Sequence, residues 1–161
     1  MIRRLASLAL VAATLSLAQP VVAGPPQDEL SRFFVWWNGA RASGQAFTAQ
    51  GYAPFLTQDA ELILDGHLTA TGPAAWASYF ETARAKGGDV EIVVPFKHRM
   101  RSRGEIYAYH IVRARRPGGG LSCLLTAGHA IIDHGRIARL TMVRHPIDLA
   151  GPYVDPLCWR R

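Results

Sequence analysis

The chain has 161 residues, of which 49% are hydrophobic, and a formal net charge of +6. This length suits one domain with a real core and is too short for two, especially if a leader is removed. No block of basic residues alternates with aromatic ones, so the composition argues against nucleic-acid binding and indicates a solvated basic surface.

The first 23 residues have the pattern of a secretory signal peptide. Two arginines precede an apolar run over residues 5–18, and the small residues 21–23 (VVA) offer a cleavage site. Cleavage after Ala18 is the alternative. An uncleaved membrane anchor is disfavoured, because the run is shorter than the roughly 18 residues that span a bilayer. We therefore expect a periplasmic or secreted protein without an integral membrane segment after cleavage.

The rest of the chain predicts one domain with a tail. Residues 24–27 have the composition of a linker, residues 28–145 form the domain and residues 146–161 form a C-terminal tail. Cys123 in the domain and Cys158 in the tail lack the spacing of a metal site. In an exported protein they favour a disulfide that tethers the tail, with two separate thiols as the alternative.

Three helices are predicted in the first half of the domain. The first runs from about residue 28 to Ser43, because apolar residues recur there at helical spacing. These residues are Leu30, Phe33, Phe34, Trp37 and Ala40. A shorter helix is expected around Tyr52. The third begins at Gly72-Pro73, since proline suits the first helical turn.

A tight hairpin precedes the third helix. Residues 65–66 (DG) are typical of a type I′ turn, in which both central residues need positive φ. They join two short strands, 61–64 and 67–70. Asp65 therefore has a structural explanation, although His67 lies only two residues away.

The second half predicts an antiparallel meander of four strands. The strands cover residues 90–101, 105–116, 121–133 and 136–145. A three-residue first loop and a two-residue last turn, which contains His134, set the register. In this register His98, Ala108 and His129 form a row on an apolar face, with His110 diagonal to them.

The three histidines on this face are the candidate catalytic residues. Neutral histidine acts as a general acid or base near neutral pH. Three histidines can also bind zinc, but His98, His110 and His129 lack short-range ligand spacing and an inward carboxylate to orient them. We therefore predict no metal site. Structural or pocket-lining histidines are the alternative.

The opposite face of the meander is mostly polar, with one interruption. Tyr107, Tyr109 and Ile111 follow one another on that side of a single strand. The trio suggests a contact between subunits, and an ordinary solvent-side role is the alternative.

Three local motifs carry a resemblance to a known family. They are "ARASGQAF…Y" after an aromatic helix, "DAEL…G…TGPAAWASYFE", and "GRIARLTMV" as the closing strand. With the order of elements, they resemble the nuclear transport factor 2-like (NTF2-like) superfamily over residues 28–145, and within it the SnoaL-like branch of polyketide cyclases and ketosteroid isomerases. The resemblance implies an α+β fold in which a cone-shaped, curved antiparallel sheet wraps around about three helices. It also implies homodimers that form through the sheet.

The resemblance implies an apolar cavity that binds a small hydrophobic or polycyclic molecule. We expect its lining to include Phe34, Trp37, Tyr79, Phe96, Leu140 and Met142. Catalysis there would be isomerisation, cyclisation or hydration without an organic cofactor, with His110 or His129 moving the proton and His98 or Tyr79 orienting the substrate. The alternative is a non-catalytic module that binds a ligand or a protein partner.

The family's catalytic pairs do not transfer to this chain. The position of the isomerase base falls on Leu64, and the first helix has no tyrosine for an oxyanion hole. The cyclase pattern needs an aspartate within the meander, where Asp133 is expected at a turn beside Arg136. The resemblance therefore predicts the fold and leaves the reaction open.

Overall fold

The computed structural model describes residues 28–86, 89–115 and 118–159, so the predicted signal peptide and linker lie outside the described residues. The helices are α1 (Glu29–Ala42), α2 (Ala49–Tyr52) and α3 (Gly72–Ala85). The strands are β1 (Leu56–Leu64), β2 (His67–Thr71), β3 (Asp89–Ile92), β4 (His98–Ser102), β5 (Glu105–Arg115), β6 (Leu121–Asp133) and β7 (Arg136–Pro146). A 3-10 turn, Pro156–Cys158, lies in the tail.

Helix α1 is fastened to the sheet at its N-terminus. The carboxylate of Asp28 accepts hydrogen bonds from the backbone N–H of Ser31 at 2.8 Å and from its hydroxyl at 2.9 Å, which caps the helix. Asp28 also pairs with Arg99 of β4, and Glu29 pairs with Arg101 on the same strand. The predicted aromatic face of α1 is buried in the core.

The sheet has seven strands in the order β2-β1-β7-β6-β5-β3, and β4 also pairs with β5. It is curved and mixed, because β1 runs parallel to β7, with Leu62 beside Leu140 and Leu64 beside Met142. The prediction of an antiparallel sheet is wrong at this one pairing. Strand β1 enters the sheet beside the last strand of the meander and runs in the same direction as that strand.

The first predicted meander strand, 90–101, is two strands in the structure. The Val94–Pro95 peptide bond is cis and lies between β3 and β4. Proline has no N–H to donate to a strand ladder, so regular pairing stops there and resumes at His98.

Two turns explain the geometry around α3. Asp65 and Gly66 have φ of 51° and 85°, which confirms the type I′ turn between β1 and β2. Gly72, at the start of α3, has φ of 77°, and a Cβ there would lie 2.7 Å from the carbonyl oxygen of Gln58. Only glycine fits at this position, so the α3 start is tied to β1 by close backbone contact.

The core lies between the helices and the inner face of the sheet, and the tail covers part of the outer face. The indole N–H of Trp76 donates to the carbonyl of Ala60 at 3.0 Å inside the core. Cys123 and Cys158 form the predicted disulfide, which packs with Ile111 under the tail. No helix within residues 28–86, 89–115 and 118–159 is long and apolar enough to cross a membrane.

Candidate ligand cavity

A cavity of about 180 Å³ lies between α1, α3 and the inner face of the sheet. It exceeds the roughly 150 Å³ that admits benzene, yet it is smaller than the roughly 300 Å³ at which drug-sized pockets begin. This volume matches a ligand of one or two rings, and a larger polycyclic molecule would extend beyond it. The walls of the cavity include Phe33, Phe34, Trp37, Phe47, Tyr79, Phe80, Ile92, Val112, Thr126, Leu140 and Met142.

The deep part of the wall is apolar and aromatic. Five of the six predicted lining residues are in the wall, namely Phe34, Trp37, Tyr79, Leu140 and Met142. The sixth, Phe96, stands behind it, with its ring centroid 6.0 Å from that of Phe34 and 5.3 Å from that of His110.

Positively charged side chains also line the cavity, and the sequence did not predict that three of them meet there. Arg41, Arg84 and Arg144 line it, and none of the described residues in its wall is acidic. Arg84 donates to the carbonyl of Gln45 at 3.0 Å and to Glu81 at 2.8 Å, so its guanidinium is held in place. The alternation of side chains along β7 indicates from the sequence that Arg144 faces inward. The approach of Arg41 and Arg84 depends on how the helices pack and could not be predicted.

Asp65, the turn residue, holds Arg144. Its carboxylate accepts from the Arg144 backbone N–H at 2.9 Å, from Nε at 3.0 Å and from Nη2 at 2.5 Å. The hydrogen bonds from Arg144 lower the pKa of Asp65, and the same contact raises the pKa of Arg144. Tyr79, across the cavity wall, raises the pKa of Arg144 further.

The predicted cluster of three histidines does not form, and the first cause is the β4–β5 turn. Ser102 pairs with Glu105, so the turn has two residues rather than three. A slip of one residue moves every side chain to the other face of a strand. His98 consequently lies opposite Tyr109, on the outer face, and is exposed.

A second slip moves His129 to the outer face. Arg115 pairs with Leu121, one residue away from the register that would place His129 opposite Ala108, so His129 lies opposite Tyr107. The two rings stack with centroids 4.5 Å apart, and His129 Nε2 lies 3.5 Å from a Glu105 carboxylate oxygen. No group of three or more His, Cys, Asp or Glu side chains in the described ranges is arranged to hold a metal ion.

A β-bulge keeps the last strand in its predicted orientation. Asp133 pairs with Arg136 as expected, but the register shifts between Ile131 and Ile132. Because of this shift Leu140 and Met142 face inward although the rest of the predicted register is displaced. Asp133 contacts the imidazole of His134 at 2.7 Å in the exposed turn.

His110 is the one predicted catalytic histidine that remains inside. Its side chain is 1% exposed, and neither ring nitrogen has a hydrogen-bond partner among the described residues. Burial lowers its pKa to about 4, so the imidazole is neutral at pH 7. Its ring lies 5.6 Å from that of Phe34, which lines the cavity.

Thr126 lies directly opposite His110 on β6 and faces the cavity. It is fully buried, and its hydroxyl also lacks a partner within the described part of the chain. Thr126 in the wall and His110 beside it are thus two paired polar side chains whose hydrogen-bonding groups are unsatisfied among the described residues. Buried polar groups are usually hydrogen-bonded, so such a pair calls for an explanation.

Comparison with solved structures identifies the fold. An NTF2-like protein of unknown function from Exiguobacterium sp. 255-15 superposes with a TM-score of 0.56 at 14% identity, covering 74% of this chain and 98% of that one. A "putative polyketide cyclase" from Xanthomonas campestris pv. campestris gives 0.55 at 16%, covering 70% and 88%. TerC, co-crystallised with polyporic acid, gives 0.56 at 10%, covering 73% and 89%. No protein-family profile and no curated protein matches the sequence.

These similarities confirm that the chain has the NTF2-like fold, as the sequence motifs predicted. At 10–16% identity they establish the architecture and leave the reaction and the ligand open.

Proposed function

We propose that this NTF2-like chain is an exported protein that binds a small, mainly apolar molecule in the cavity between its helices and sheet. The observation that carries the proposal is the cavity itself, with its aromatic depth and its few polar groups, which is the usual composition of a small-molecule site. TerC shares the fold and has been crystallised with polyporic acid, so an NTF2-like fold can accommodate a small organic ligand.

Export is part of the proposal and rests on the first 23 residues. The disulfide between Cys123 and Cys158 supports it, because disulfides persist in oxidising compartments. N-terminal sequencing of the protein from a periplasmic or culture fraction tests it, with Gly24 or Gln19 as the expected first residue. An intact Met1 in a soluble cytoplasmic fraction would contradict it.

Binding is tested by blocking the cavity. Calorimetric titration with 2-naphthol, a neutral two-ring probe, should show binding to the wild type. Ala83→Phe places a ring at the cavity wall and should abolish binding. Ala85→Phe is the matched control, since Ala85, like Ala83, is exposed on this helix but does not line the cavity. Equal binding by both variants would refute the assignment of the site.

A second candidate function is proton transfer by His110, favoured by its neutral, unpartnered imidazole. The general base would remove an α-proton from a ketone and return it to the enolate. His110 ranks second because it lies behind Phe34 and Thr126 rather than in the wall, and because no carboxylate lines the cavity among the described residues. The predicted roles of His98 and His129 in this chemistry are not proposed, since both lie on the outer face.

Deuterium exchange into 2-tetralone, a two-ring ketone, tests this candidate by NMR. The wild type should accelerate exchange at the α-carbons, and His110→Phe should remove the acceleration. His129→Phe is the control and should retain it. Wild-type exchange equal to the buffer rate would leave binding as the function.

We also propose that the outer face of the sheet forms a homodimer contact. The disulfide-tethered tail covers the Ile111 side of this face. Met100 and Val143 remain 60% and 59% exposed beside Tyr107 and Tyr109. Sedimentation should show a dimer that Val143→Glu dissociates and Leu68→Glu, at an exposed site on β2, does not. A monomeric wild type would refute it.

A further inference from the structure

We infer that the ligand of this cavity carries a carboxylate, which Arg144, Thr126 and Tyr79 bind at one end while the apolar body occupies the aromatic depth. The inference rests on the proposed binding function and adds the chemical class of the ligand. It depends on three properties of this part of the wall. The three side chains are neighbours, the hydroxyl of Thr126 has no hydrogen-bond partner among the described residues, and the guanidinium of Arg144 has donors available to a ligand.

The three side chains are neighbours in space. Thr126 and Arg144 lie directly opposite one another on β6 and β7, and both line the cavity. Opposed side chains on one face of an antiparallel pair have Cβ atoms about 5 Å apart, so one small ligand group can reach both. Tyr79, on α3, lies close enough to Arg144 to influence its pKa and also lines the cavity.

The hydroxyl of Thr126 indicates an acceptor on the ligand. It is fully buried and has no hydrogen-bond partner among the described residues. An unpartnered buried hydroxyl costs free energy that a ligand oxygen at this position would recover. An apolar ligand end would leave the hydroxyl unsatisfied, so the ligand end that lies here is polar.

The guanidinium of Arg144 gives that polar end its charge. Arginine has five N–H donors. Asp65 accepts from Nε and Nη2, and Tyr79 is a further hydrogen-bond partner of the guanidinium, so part of its donor set remains available to another acceptor. Arg84, which also pairs with Glu81, and Arg41 line the same cavity, and none of the described lining residues is acidic. A planar carboxylate matches donors in this arrangement, and a cationic ligand group would be repelled.

A pair of isosteric probes tests the inference. Calorimetry at pH 7 compares 2-naphthoate with 2-naphthamide, which has the same rings and no charge. The carboxylate should bind about tenfold more tightly, because charge-assisted hydrogen bonds are roughly twice as strong as neutral ones. Equal affinities would overturn the inference and leave the proposed binding function standing. Failure of both probes and of 2-naphthol to bind would overturn both.

Variants locate the charge that is responsible. Arg144→Gln should remove the preference for naphthoate while naphthamide still binds. Arg139→Gln is the matched control. Arg139 lies on the same strand, its Nε is 2.6 Å from a carboxylate oxygen of Glu61, and it does not line the cavity. Arg144→Gln combined with Asp65→Asn removes the carboxylate that the single variant leaves unpaired. If the double variant again prefers naphthoate, repulsion by Asp65 rather than loss of the guanidinium contact weakened binding in the single variant. That result would overturn the assignment to Arg144.

Thr126→Val separates binding from stability. Valine has the same shape without the hydroxyl, so the ligand-free variant should be at least as thermally stable as the wild type. Its affinity for naphthoate should fall about tenfold, the cost of one lost charge-assisted hydrogen bond. Unchanged affinity would show that the hydroxyl does not contact the carboxylate and would refute this part of the site.

Discussion

Replacing His110 should flatten the dependence of stability on acid pH. The imidazole is buried without a hydrogen-bond partner among the described residues, and burial lowers its pKa from 6.5 to about 4. The unfolded chain therefore binds more protons than the folded one between these two values. The free energy of unfolding is therefore highest, as far as His110 is concerned, above about pH 6.5, and this contribution is lost as the pH falls toward 4.

The size of the effect follows from the pKa difference. Each unit of pKa difference between the folded and unfolded chain is worth about 1.4 kcal/mol. Protonation of His110 should therefore lower the free energy of unfolding by about 3 kcal/mol between pH 7 and pH 4. His110→Phe removes this component. At pH 7 the variant should be at least as stable as the wild type, because a phenyl ring has no unsatisfied nitrogen between Phe34 and Phe96.

Urea unfolding at half-unit steps from pH 4 to pH 8 measures the difference. The wild-type curve should fall more steeply than that of His110→Phe by about 3 kcal/mol across the window. His110→Leu repeats the test with a smaller side chain if the phenyl ring overfills the site. His129→Phe leaves His110 in place, so the steep fall should persist. Parallel curves for wild type and His110→Phe would refute the burial argument.

Three further predictions concern the framework. The oxidised protein should have no titratable thiol in denaturant, and two free thiols would contradict the disulfide. Cys158→Ser should lower the free energy of unfolding by about 3 to 4 kcal/mol, because the disulfide closes a loop of intermediate length. Asp28→Ala should destabilise by about 2 kcal/mol through loss of the α1 cap, whereas Asp28→Asn, which keeps a capping oxygen, should cost less, as denaturant titration would show. Gly72→Ala should destabilise by more than about 2 kcal/mol, measured the same way, since its Cβ would meet the Gln58 carbonyl in a positive-φ conformation; a wild-type melting temperature would contradict this reasoning.

The candidate site could be predicted only in part. Helical spacing identified Phe34 and Trp37, and strand alternation identified Leu140 and Met142, because periodicity reports which face of an element is buried. The inward pair of Thr126 and Arg144 required the register of β6 and β7, and the approach of Arg41 and Arg84 required helix packing.

The histidine cluster failed for a specific reason. Side-chain direction in a strand alternates with a period of two, so one residue of error in a turn reverses every assignment beyond it. The two-residue Arg103-Gly104 turn reversed His98, and the Arg115–Leu121 pairing reversed His129. His110 kept its predicted orientation because the apolar alternation of β5 itself determines it.

The sequence by itself determined most of the elements, the type I′ turn, the disulfide and the NTF2-like order of helices and strands. Each follows from local chemistry: apolar periodicity, backbone preference or the redox chemistry of two cysteines. The tertiary structure alone decided the register, the parallel pairing of β1 with β7 and the union of Thr126, Arg144 and Tyr79 in one wall. These depend on contacts between distant residues, and turn lengths and a β-bulge set them in a way that local patterns do not encode.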